Sequence, residues 1–136
     1  MALRPEEIRR GAIVLVRLPE DKARPAVIVR ADLLAGLPYA TILPLTTEWR
    51  SDVDFRIAVE PTAENGLRET SQVMVDWAQT VRAKTMGAVI GRLDDATMRL
   101  VTEQLAIVLG IGGDDSEADL LMADLIAALR PFGEPE

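Results

Sequence analysis

The chain changes its hydrophobic rhythm once, near residue 93, and that change restricts the fold more than any other feature. Before it, apolar residues alternate in short runs with a period of two, as strands require. After it, they recur at intervals of three and four, as a helix requires. Residues 12–19 (AIVLVRLP) put Ala12, Val14, Val16 and Leu18 on one face and Ile13, Leu15 and Arg17 on the other. Both faces are largely apolar, which suits a small barrel whose outer surface is also partly covered. Residues 25–31 (PAVIVRA), 39–47 (YATILPLTT) and 54–61 (DFRIAVEP) read as further strands, the last with Phe55, Ile57 and Val59 on one side. Pro44 cannot donate to a ladder, so its strand is expected at an edge or a bulge. Residues 71–82 (SQVMVDWAQTVR) read as one long strand carrying Val73, Val75 and Trp77 on one side. A short helical turn (AKTM) and a strand (GAVIGRL) follow.

The helical segment is well punctuated. Met98, Val101, Leu105, Val108 and Leu109 form its apolar stripe, and Asp94 is placed to cap its start. Leu93 and Met98 are spaced as a hydrophobic staple, and Gly110 stands where a left-handed terminating residue belongs. A polar break (GGDD) then precedes SEADLLMADLIAALRPF, whose stripe of Ala118, Leu121, Leu125 and Leu129 predicts a second helix, capped by Ser116 with Asp119 and stopped by Pro131. The fold expected is mainly β with α. It is a small barrel or twisted sheet of five to seven strands with a helix packed on it, plus an extra acidic C-terminal helix.

Composition narrows the chemistry. The 136 residues include no cysteine and no histidine. Disulfides, thiolate nucleophiles, thiolate zinc sites and the commonest general base are therefore excluded. Any catalysis rests on arginine, lysine, carboxylates or hydroxyls, and no metal or cofactor is expected. The start of the chain (MALRPEEIRRG) carries charge without an apolar core, and no run approaches the length of a membrane span. A cytoplasmic protein is expected. The net charge of −7 argues against a nucleic-acid partner until it is divided. Residues 114–136 hold seven acidic residues and one basic, Arg130, whereas residues 1–113 hold 15 acidic and 14 basic. The body is near neutral and arginine-rich, and the acidity lies in the tail.

Individual candidates are ordinary when taken alone. Arg24 precedes Pro25, which biases it to extended backbone at a loop–strand junction, and a guanidinium there suits a phosphate. It equally suits solvent. Thr46 and Thr47 close an apolar strand, and threonine favours strands in any case. Trp49, Trp77, Tyr39 and Phe55 could stack on bases or fill a core or an interface. The GIGG at 110–113 ends a helix instead of opening one, so it is no phosphate loop.

Taken in order, RRGAIVLVRLP, KARPAVIVRADLL, ATILPLTTEWR, GLRETSQVMVDWAQTV and MGAVIGRLDDATMRLVTEQLAIVLGI resemble the MazF/PemK family of toxins from bacterial type II toxin–antitoxin pairs. The resemblance runs from about Arg10 to Gly112, making residues 1–113 a toxin-like domain and residues 114–136 a departure. It implies an SH3-like barrel of the kind shared with the CcdB gyrase poisons. It further implies a homodimer with a groove for single-stranded RNA, and a cognate antitoxin that blocks this groove with an acidic C-terminal segment. By the same resemblance Arg24 and Thr46 are catalytic, and Glu20 is the nearest match to a loop carboxylate given acid–base work. Thr47, Ser71, Lys22, Arg50 and Trp77 are implied as substrate-binding residues. The activity implied is ribosome- and metal-independent cleavage of RNA by its own 2′-hydroxyl, giving 2′,3′-cyclic phosphate and 5′-hydroxyl ends. A CcdB-like, non-catalytic gyrase poison is the alternative. For the tail two readings stand: a helix packed on the body, or an antitoxin-like inhibitory segment.

Overall fold

A computed structural model describes residues 3–17 and 22–112, and residue 127 beyond them. Glu20, the end of the first expected strand at residues 18–19, and the tail at residues 114–136, apart from residue 127, lie outside the described residues.

Seven strands form one antiparallel sheet: β1 (Ala12–Arg17), β2 (Ala23–Ile28), β3 (Tyr39–Thr46), β4 (Arg56–Val59), β5 (Ser71–Met74), β6 (Gln79–Arg82) and β7 (Met86–Arg92). The hydrogen-bonded path is β4-β5-β3-β2-β1-β7, with β6 also on β3. Both faces of this sheet carry a core, as the apolar faces of β1 require. On one side Ile13, Val27, Leu43, Leu45, Ile57 and Val73 pack beneath helix α1 (Asp95–Leu109), meeting its Met98, Val101, Leu105 and Val108. On the other, Val14, Val16, Ala26, Ile28, Ile42 and Met86 gather around Ile8. Burying both faces is what lets so short a chain supply a sizeable apolar interior.

Three expectations need correction. Pro44 is at neither an edge nor a bulge, because β3 is an interior strand: one side pairs with β2, the other with β6 and β5 in succession. The proline is tolerated because β6 covers Tyr39 to Ile42 and β5 covers Leu45 to Thr46, so Pro44 falls in the gap between the two ladders. Residues 71–82 are correspondingly not one strand. Between β5 and β6 a 3-10 turn, Val75–Trp77, intervenes, and the register against β3 slips by the three residues of that turn. Val75 is fully buried whereas Trp77 is 55% exposed, an outcome that strand alternation forbids for residues two apart. Finally, Leu109 leaves the apolar stripe of α1 and is 56% exposed at its last turn.

The ends of α1 follow their local chemistry. The Asp94 side chain accepts a hydrogen bond from Thr97 N at 2.6 Å. Gly110 adopts φ 72°, and the N–H of Ile111 reaches Ala106 O at 2.9 Å. Leu93 and Met98 are both buried beside the cap, as a staple requires. The side-chain and backbone bonds with Thr97 hold the Asp94 carboxyl below the usual aspartate range. Its stabilising contribution is therefore present above that range and lost as pH falls through the lowered folded value, in acid below about pH 4. Asp94→Asn, which keeps a capping oxygen but no charge, is expected to flatten this acid-side loss in urea midpoints measured between pH 7 and pH 3.

Candidate active site

The cleft of greatest chemical interest opens where β3 changes partners. It encloses about 360 Å³ and is lined by Arg24, Pro44, Thr46, Glu48, Arg50, Arg56, Met74, Trp77 and Gln79. The residues arrive from five strands, from the turn Val75–Trp77 and from the segment after β3. Ala26 of β2 pairs with Pro44 of β3 at the end of their ladder, and Arg24 and Thr46, each two residues further along its strand, both line the cleft. Pro44 and Thr46 succeed one another at the strand's period of two, and Glu48 follows from the bend just beyond the end of β3. Arg56 enters from β4, where it pairs with Met74 of β5. Trp77 and Gln79 come from the turn and from the first residue of β6.

Thr46 is nearly buried, and its Oγ1 accepts the N–H of Glu48 at 3.1 Å. The acceptance leaves the hydroxyl proton available for donation into the cleft. The chain beyond Thr46 is tied down by Gln72, which is 4% exposed. Its Oε1 accepts from Arg50 N at 3.1 Å and its Nε2 donates to Arg50 O at 3.0 Å. A buried amide bonded both ways in this manner fixes the backbone that carries Glu48 and Arg50. The Arg50 guanidinium bonds Asp52 in a fork, Nε to Oδ1 at 3.0 Å and Nη2 to Oδ2 at 3.2 Å. The paired bonds hold the Asp52 carboxyl below the usual carboxylate range and raise Arg50.

At Arg56 the backbone is unusual. The preceding residue, Phe55, has φ 61°, a left-handed conformation uncommon for a bulky side chain. Its carbonyl accepts from Val75 N at 3.0 Å, and its ring packs on the core beneath α1. Arg56 is thereby turned to the cleft, and its Nε is buried without a hydrogen-bond partner. Together Arg24, Arg50 and Arg56 give the cleft three guanidinium groups, offset by the carboxylate of Glu48 and by Asp52 on Arg50.

Of the residues expected from the sequence, Arg24, Thr46, Arg50 and Trp77 meet in this one cleft. Thr47 and Lys22 are exposed and outside the lining, and Ser71 is placed elsewhere. Ser71 pairs with Val59 at the far end of β5, is 3% exposed, and donates its hydroxyl to Glu69 O at 3.0 Å. Its hydrogen-bonding capacity is largely spent on the backbone. Arg56, Glu48, Gln79, Met74 and Pro44 were not anticipated. A period of two from Thr46 points to Pro44 and Glu48, but Arg56 and Gln79 come from strand pairings that one sequence does not display. Among the described residues no cluster of three or more carboxylates forms a metal site, and no helix is long and apolar enough to cross a membrane.

Comparison with known proteins agrees with this fold. Residues 9–109 match the family described as PemK-like, MazF-like toxin of type II toxin-antitoxin system. A probable endoribonuclease MazF of Mycolicibacterium smegmatis is 35% identical over 95 residues, covering 68% of this chain and 84% of that protein. The solved toxin MazF-mt6 of Mycobacterium tuberculosis superposes with a TM-score of 0.65 at 28% identity, covering 75% of this chain and 99% of that one. A MazE–MazF structure from Deinococcus radiodurans has a TM-score of 0.64 at 15% identity, over 76% of this chain and 96% of that one, a likeness of fold.

Proposed function

We propose that this chain, which belongs to the PemK-like, MazF-like toxin family of type II toxin–antitoxin systems, is an endoribonuclease that cuts single-stranded RNA in the Arg24–Thr46 cleft. The observation that carries the reading is the meeting of these two side chains across β2 and β3 in a cleft with two further guanidinium groups. RNA supplies its own nucleophile. Its 2′-oxygen attacks the adjoining phosphorus, the bond to the 5′-oxygen breaks, and the products carry a 2′,3′-cyclic phosphate and a 5′-hydroxyl. The negative charge that develops on the phosphorane oxygens needs fixed donors more than it needs a metal. Arg24 offers a planar fork of N–H groups for it. Thr46, its oxygen already accepting from Glu48 N, directs its proton at the same phosphate and holds it in line. Arg56 binds a neighbouring phosphate, and Trp77, 55% exposed at the rim, stacks on an unpaired base.

The protein acts as a cytoplasmic homodimer, independent of ribosomes and metal ions. A cognate antitoxin neutralises it by laying acidic residues over the three arginines. Residues 114–136, with seven acidic residues to one basic, carry charge of the same sign, and two readings stand for them: a helix packed on the body, or a segment that competes for the same groove.

The test is cleavage of a long unstructured RNA in EDTA, with chemical identification of the new ends, for the full chain and for a chain ending at Gly113. Cutting by either form with cyclic phosphate ends supports the nuclease. A shorter form that cuts faster supports the competing tail, and equal rates remove that role from it. If neither form cuts, the nuclease reading fails and a non-catalytic toxin of the gyrase-poison class takes its place.

A further inference from the structure

We infer that Glu48 is the general base of the cleavage reaction, the group that takes the proton from the attacking 2′-hydroxyl; this rests on the nuclease reading above. The chain has no histidine and no cysteine, and of the side chains left to accept a proton near neutral pH a carboxylate is the type already ionised there. Among the described residues Glu48 is the carboxylate that lines the cleft with Arg24 and Thr46. Its position is built by the backbone. Glu48 N donates to Thr46 Oγ1 at 3.1 Å, which ties it to the hydroxyl that addresses the phosphate. Two residues later Gln72 pins the backbone of Arg50 from both sides. The carboxylate therefore stands on a segment anchored at each end, in the bend that follows Thr46.

Among the described residues the other charged side chains lining the cleft are arginines: Arg24 from β2, Arg56 from β4, and Arg50, which bonds Asp52. Trp77 and Gln79, from the turn and β6, carry no charge. A carboxylate whose only task was electrostatic would weaken a phosphate-binding cleft, because it offsets the cations that bind the substrate. A carboxylate that accepts a proton has a reason to be there. In the step itself the 2′-hydroxyl proton passes to Glu48 as the 2′-oxygen bonds to phosphorus. The P–O5′ bond breaks with the electron pair going to the 5′-oxygen, which takes a proton from solvent. Glu48 then returns its proton to solvent, so atoms and charge balance.

Glu48→Gln keeps size and polarity at an exposed position, and it separates the roles. For a base, kcat falls by about 10²–10⁴ while KM holds or drops, because a negative charge has left the cleft. An acid limb in the pH–rate profile of the unmodified protein is absent from the residual activity of Glu48→Gln. Formate or acetate restores part of the rate to Glu48→Ala. If Glu48→Gln keeps its kcat, or gains rate through tighter RNA binding, the carboxylate is an electrostatic filter and the inference is overturned. If the acid limb persists in Glu48→Gln and vanishes in Glu20→Gln, the base is Glu20, and the inference is again overturned. Both outcomes leave the nuclease standing. Absence of cleavage by the unmodified protein is the failure of the nuclease reading itself.

Discussion

Arg24→Ala is expected to lower the rate of RNA cleavage by about 10²–10³, the cost of removing one preorganised donor from a developing oxyanion. The side chain is half-buried at the start of β2, outside both apolar cores, so the substitution removes charge and a planar donor set without opening a cavity in either. The cooperative unfolding transition is therefore expected to survive it. Arg24→Lys sharpens the result, because an ammonium keeps the charge and loses the fork that addresses two phosphate oxygens at once. A rate close to that of alanine indicates that geometry is what Arg24 contributes, and a rate close to arginine indicates charge. Cleavage by Arg24→Ala at the unmodified rate would remove the cleft from the reaction.

The largest expected effect on stability lies far from the cleft, at Gly66. This residue has φ 70°, in the region that favours glycine, and a Cβ there would lie far inside van der Waals distance of the Ile90 carbonyl oxygen on β7. Its surroundings cannot yield easily. Asn65, 4% exposed, accepts from Thr62 N and Leu67 N at 3.0 Å each and donates to Glu60 O at 2.9 Å. Arg92 N meets Glu64 O at 2.9 Å from the β7 side. Gly66→Ala adds a left-handed backbone penalty of about 1–2 kcal/mol to an overpacking cost of about 1–3 kcal/mol. Together these are a large part of the stability of an ordinary domain. Urea unfolding should show the loss as a lowered midpoint at unchanged slope. Gly36→Ala is the control, since a Cβ there meets nothing within 4 Å. Equal midpoints for the two variants would refute the account.

The elements that depend on local patterns were legible in the sequence. Helix α1 came with its cap, staple and terminating glycine because each is set by residues within one turn of another. The alternating apolar runs marked β1, β2 and β4 for the same reason. What escaped were features fixed by partners distant in the chain. Pro44 looks like an edge residue until β3 is seen to change neighbours beside it. Val75 and Trp77 share a period-two stripe, and only the three-residue slip against β3 sends them to opposite sides. The candidate site divides in the same way. Arg24, Thr46, Arg50 and Trp77 carry motif signals. Ser71 carries one too, but sits at the far end of β5. Arg56 and Gln79 reach the cleft through the β4–β5 and β3–β6 pairings, which leave no short-range mark.

The gap beside Pro44 has one more consequence. Both ladders that flank it are closed independently, and no backbone donor on Pro44 demands a partner there. The turn Val75–Trp77 is thus an insertion seam, where the chain can gain or lose a residue while β5 and β6 keep their registers and Val75 keeps its seat in the core. Its outer residue, Trp77, forms one wall of the cleft. A change of length at this seam moves that wall relative to Arg24 and Thr46, and so reshapes the cleft while the frame stays unaltered.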